Sequence, residues 1–87
     1  MKRKIWKYLL EFGDGEQPIE IPKDAEVLYV AGQEGTICLW ALVSPAAPAE
    51  TRKFVIHGTG HPVGEKESYL GSVQMSPFVW HVFEVAA

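Results

Sequence analysis

The chain has 87 residues and a net charge of −3, with 47% hydrophobic and 22% charged residues. That length holds one domain over residues 1–87, and the hydrophobic content excludes an intrinsically disordered chain. Lys2, Arg3, Lys4 and Lys7 supply half of the basic residues, so residues 8–87 carry an acidic excess; this excludes general nucleic-acid binding, which needs a broad basic surface.

The elements follow from alternation and turn residues. Trp6, Tyr8, Leu10 and Phe12 share one face of a first strand, with Lys7 and Glu11 on the other, and the aromatic face is predicted to lie on a core. Gly13-Asp14-Gly15 breaks this strand. Ile19 and Ile21, bracketed by Pro18 and Pro22, predict a short strand that lies at an edge or ends abruptly, because proline cannot donate to a ladder. Residues 26–31 and 36–43 form a predicted hairpin across Gly32-Gln33-Glu34-Gly35. The second of these strands is apolar on both faces, which requires either cover on both sides or contact with another subunit. Within it lies Cys38, the only cysteine; no intramolecular disulfide can form, and a buried, inert thiol is expected. The apolar run 37–43 is too short for a membrane helix. Lys7 and Glu11 interrupt the stretch that would make Met1-Lys2-Arg3-Lys4 the start of a signal peptide, so a cytoplasmic location is expected.

Residues 44–50 read as an extended, proline-punctuated connection. A strand over 52–57 closes at Gly58-Thr59-Gly60-His61-Pro62, a polar loop at 64–68 leads to a strand over 69–75, and Ser76-Pro77 separates that from a last strand over 78–85. The sum is an all-β fold, a small antiparallel β-sandwich or partly open barrel of about six to seven short strands.

The segment His57-Gly58-Thr59-Gly60-His61 draws attention because glycines leave backbone N–H groups open to an anion and Thr59 adds a hydroxyl. It lacks the Gly-Lys-Ser/Thr of a phosphate loop and does not open a helix, so a threonine-capped turn is the plain alternative. The two histidines stand four apart in a strand-to-turn context, which lacks the geometry of a helical zinc pair. Arg52 either pairs with an acidic neighbour such as Glu50 or joins the histidines in holding an anionic ligand through its fork of donors. Arg52, His57, Gly58, Thr59, Gly60 and His61 are therefore the candidate ligand-binding residues. Core packing is the expected role of most of Trp6, Tyr8, Tyr29, Trp40, Tyr69, Phe78 and Trp80. No serine lies in a nucleophile elbow, and His81 alternates with apolar residues as a structural histidine would. No catalytic residue, metal or cofactor is assigned.

Lys4-Ile5-Trp6-Lys7-Tyr8, Ile19-Glu20-Ile21-Pro22-Lys23, Leu39-Trp40-Ala41-Leu42-Val43, the block from Phe54 to Pro62 and the closing Trp80-His81-Val82-Phe83-Glu84 resemble a family of short uncharacterised bacteriophage and prophage proteins. The resemblance spans nearly the whole chain, and Gly58-Thr59-Gly60-His61-Pro62 is its most specific part. It implies a genomic setting and carries no activity.

The functional expectation is a non-catalytic phage accessory protein acting in the host cytoplasm as a possible homo-oligomer. It would sequester a small anionic or nucleotide ligand, with a tryptophan stacked on the base, or block a host protein. The alternative is a minor virion or assembly component; a small metal-dependent hydrolase ranks below both.

Overall fold

A computed structural model describes residues 2–13 and 15–87; Asp14, at the centre of the first expected turn, lies outside the described residues. Seven strands follow in order: β1 (Lys4–Leu10), β2 (Gln17–Pro22), β3 (Glu26–Gln33), β4 (Thr36–Val43), β5 (Ala49–Gly58), β6 (Glu67–Met75) and β7 (Phe78–Val85). They form two antiparallel sheets, one of three strands in the order β1-β4-β3 and one of four in the order β2-β5-β7-β6. The fold is a small β-sandwich with no closed barrel, as alternation and turn spacing predicted, and no helix occurs among the described residues.

The core lies between the sheets. Ile37, Leu39, Ala41 and Val43 of the central strand β4 point inward with Leu10 and Val30, and meet Ile21, Phe54, Ile56, Val73 and Val82 of the other sheet. The β3–β4 hairpin closes through Glu34 and Gly35, whose φ values of 52° and 78° are both positive, as a two-residue type I′ turn requires. Edge strands β3 and β6 each carry a bulge, at Val27/Tyr29 and Tyr69/Gly71, and pack against one another along one side of the sandwich. Glycine makes this approach possible in both directions. A Cβ on Gly71 would stand 2.3 Å from Val30 Cγ2, and one on Gly32 would stand 3.0 Å from Val73 Cγ1.

Three expectations need correction. In β1, Leu10 is buried and Tyr8 partly so, but Trp6 remains 38% exposed and Phe12 lies beyond the strand end on the surface; an edge strand leaves part of its inward face uncovered. Core packing is the expectation for most of the seven aromatics; Tyr8 and Trp80 pack against the core while only partly buried, none of the seven is fully buried, and the deepest aromatic is Phe54. Arg52 pairs with Glu84 and not with Glu50, which instead accepts from the Asp24 N–H. Glu50, Arg52 and Phe54 share one face of β5 by alternation; on that face Glu84, paired across from Phe54 on β7, presents both carboxylate oxygens to the guanidinium, while Glu50 is turned to the Asp24 N–H. Cys38 is buried and free, as expected. β2 is the edge of its sheet, the first of the two outcomes its prolines predicted.

Candidate functional site

Strand β5 delivers His57 to the outer face of the four-stranded sheet, directly opposite His81 on β7. The two imidazoles have separate partners. His57 Nε2 lies 2.5 Å from Glu67 Oε1, and Glu67 Oε2 accepts the Gly64 N–H at 2.7 Å. The hydrogen bond with His57, reinforced by the Gly64 N–H against the opposing cost of burial, holds the Glu67 carboxyl below the usual glutamate range. The His57 ring also meets Phe83 edge-on, with centroids 5.4 Å apart.

His81 is bonded at both nitrogens, to Thr59 Oγ1 at 2.9 Å through Nε2 and to Ser72 Oγ at 2.7 Å through Nδ1. Tyr69 OH lies 2.7 Å from Ser72 Oγ, and Thr59 Oγ1 donates weakly to Val79 O at 3.4 Å. One proton arrangement satisfies every contact. Tyr69 donates to Ser72, Ser72 donates to His81 Nδ1, His81 Nε2–H donates to Thr59, and Thr59 donates to the Val79 carbonyl; the tautomer is assigned from this network. A serine hydroxyl on an imidazole is the contact a nucleophilic hydrolase uses. Here the second ring nitrogen meets a threonine, whereas a triad places a carboxylate there to stabilise the imidazolium. The chain of hydroxyls links the turn after β5 to β7 and β6.

On the opposite side of Gly58, the turn residues meet a group of aromatic rings. Gly58 N–H donates to His61 Nδ1 at 3.0 Å, and His61 N–H returns a bond to Gly58 O at 3.1 Å, while Gly60 reverses the chain at φ 94°. A Cβ on Gly58 would stand 3.1 Å from His61 Cε1 and 3.3 Å from Trp80 Cζ3, so glycine is what lets these two rings converge. Trp80 is packed edge-on by Phe12 at 5.3 Å and tilted against Phe78 at 5.6 Å. Between the turn and Pro77, Phe78, Val79 and Trp80 lies an open cleft of about 320 Å³, with Phe78 58% exposed at its lip.

A larger cleft of about 500 Å³ sits at the other end of the β5–β7 pair, lined by Arg52, Lys53, Lys66 and Glu84 among others. Two of its three cations have carboxylate partners, and Lys66 has none among the ion pairs of the described residues. Glu84 accepts from Arg52 Nε and Nη2 at 2.6 and 2.7 Å, Arg52 Nη1 donates to Ala25 O, and Lys53 approaches Glu16 at 3.8 Å. The Glu84 hydrogen bonds also raise the guanidinium above its ordinary value. Arg52 thus ties β5 and β7 to the β2–β3 connection and stands five residues and one face away from His57.

Of the sequence candidates, Gly58, Thr59, Gly60 and His61 come together with Trp80; His57 joins His81 on the neighbouring face; Arg52 joins neither. Glu67, Tyr69 and Ser72 were missed. The signal for Ser72 was present: a two-residue turn at Ser76-Pro77 pairs Met75 with Phe78 and, counting outward, Ser72 with His81. Among the described residues no three of His, Cys, Asp or Glu are grouped as metal ligands, and no helix is long and apolar enough to cross a membrane.

No curated protein and no solved structure matches the chain. Residues 1–87 match the family described as a domain of unknown function, DUF7352, which spans the same length as the sandwich, and the chain belongs to that family.

Proposed function

We propose that this chain is a non-catalytic binding protein, and that its ligand is a planar, hydrogen-bonding ring of the nucleotide class taken in the cleft between the 58–61 turn and Phe78–Trp80. The observation that carries the reading is the convergence of His61 and Trp80 over Gly58, with Thr59 and the exposed Phe78 completing the walls. Aromatic rings offer a stacking surface, worth about 1–3 kcal/mol per base, and the turn offers hydrogen-bonding groups at its rim. No lysine or arginine lines this cleft, so the ring of the ligand, more than its phosphates, supplies the affinity, and binding in the micromolar range is expected.

The resemblance to phage and prophage proteins gives this binding a setting: an accessory factor in the host cytoplasm that sequesters a nucleotide signal. Calorimetric titration with a panel of mononucleotides, cyclic nucleotides and nicotinamide-derived nucleotides tests it. Heat from at least one member, lost in Phe78→Ala and reduced in Thr59→Ala, supports the reading. Silence across the panel contradicts it, and detection of the protein in purified particles would favour a virion or assembly role instead.

A further inference from the structure

The two outer faces of the sandwich differ. On the four-stranded sheet the outward polar groups are bonded to one another, from Tyr69 through Ser72 and His81 to Thr59, and from His57 to Glu67. On the three-stranded sheet the outward face is apolar along its middle. Trp40 and Leu42 of β4 lie between Ile5 and Leu9 of β1 on one side and Tyr29 of β3 on the other. Ile5, Leu9 and Tyr29 are 61%, 59% and 64% exposed, and residues of this kind gathered on one face mark a contact surface.

Charge is sorted across the same face. Lys7 stands on β1 with Arg3 just before it, and Glu26 stands on β3 with Glu34 in the turn that ends it. Lys7 Nζ reaches across β4 to Gln33 Oε1 at 2.8 Å, a neutral partner. Among the described residues the ion pairs are Arg52–Glu84, Lys53–Glu16 and His57–Glu67, so none of these pairs neutralises the basic edge or the acidic edge of this face.

We infer that this face binds a second copy of the chain, in a homodimer whose two-fold axis runs along β4 between the stacked sheets. A two-fold interface must be complementary to itself. Rotation about an axis parallel to the strands lays β1 of one copy over β3 of its partner, so basic meets acidic twice, while Trp40 and Leu42 face their counterparts at the centre. An axis perpendicular to the strands would lay β1 on β1, with like charges opposed. Three strands about 4.8 Å apart and seven residues rising about 3.3 Å each give a footprint of roughly 330 Å², well under the about 800 Å² per partner of a stable complex. The dimer is therefore weak and reversible, and relies on its charged edges. It stands apart from the cleft, which lies on other strands.

Sedimentation equilibrium of the full chain at about 0.05 and 0.5 M salt tests this, since screening shortens from beyond to well within an ion-pair network over that range. The expected result is a monomer–dimer equilibrium that weakens severalfold at high salt. Lys7→Glu and Glu26→Lys, both at exposed positions, each abolish self-association, and their equimolar mixture restores it, because the mixed dimer recovers both opposite-charge contacts. A chain that stays monomeric at millimolar concentration and low salt overturns the inference. So does association that strengthens with salt, or a mixture that associates no better than its components.

Discussion

Gly71 on β6 lies so close to Val30 on β3 that a Cβ at residue 71 would come within 2.3 Å of Val30 Cγ2. The two sheets meet along this seam, and nothing but the missing side chain admits the valine. Gly71→Ala is expected to destabilise the fold by about 1–3 kcal/mol through overpacking. Val30→Ala removes the clashing methyl, so the double variant should lose less than the sum of the two single losses. Urea unfolding of all four chains measures the coupling; strict additivity would show that the seam does not close at this contact.

Glu34 takes a left-handed conformation, φ 52°, as the first residue of the β3–β4 turn. Asparagine adopts this conformation at lower cost, and Asn-Gly is the preferred pair for such a turn. Glu34→Asn should therefore raise stability by about 0.5–1 kcal/mol, read as a higher thermal midpoint with the same fold by circular dichroism. A lower midpoint would mean the turn is held in another geometry.

The carboxyl of Glu67 is held below its ordinary range by the bond with His57. A depressed carboxylate contributes stability that is fully present above its unfolded value, about pH 4.3, and is lost as pH falls through the lower folded value. The stability difference between the natural chain and Glu67→Gln should accordingly shrink on acidification below about pH 4.3. Thermal midpoints from pH 7 down to pH 3 check the sign, and a gap that widens in acid would contradict the assignment.

Arg52 is bound on three sides, by both oxygens of Glu84 and by the Ala25 carbonyl. Replacing it by alanine leaves the half-buried Glu84 without its partner, at a cost of about 1–3 kcal/mol. Arg52→Lys should recover only part, since an ammonium cannot reproduce the fork. Neither variant should change the affinity of a ligand held at residues 58–61. A loss of affinity without loss of stability would move the site to the larger cleft.

The strands and the sandwich were legible because alternation, prolines and glycine turns each report a local backbone preference, and these preferences agree with the fold. The role of Arg52 was not legible. Its neighbours in sequence, Glu50 and His57, suggested a surface pair or a ligand site, whereas the partner that decides its role, Glu84, stands 32 positions away on β7. The same limit applies to the aromatics. Alternation correctly put Trp6 and Tyr8 on the inward side of β1, but how far a neighbouring sheet extends over an edge strand depends on the packing of two sheets. Ser72 and His81 lay between these cases. Their pairing follows from counting back along a hairpin, while the bulge at Tyr69/Gly71 defeats the same count for Tyr69.

The most direct test of the central claim is an NMR titration of the isotopically labelled chain with the nucleotide panel, following every backbone amide and the three tryptophan indoles. A ligand held in the cleft shifts Gly58–His61, Phe78 and the Trp80 indole, and leaves residues 51–53 and 84–87 undisturbed. Shifts confined to that second group, or none with any nucleotide, would contradict the claim.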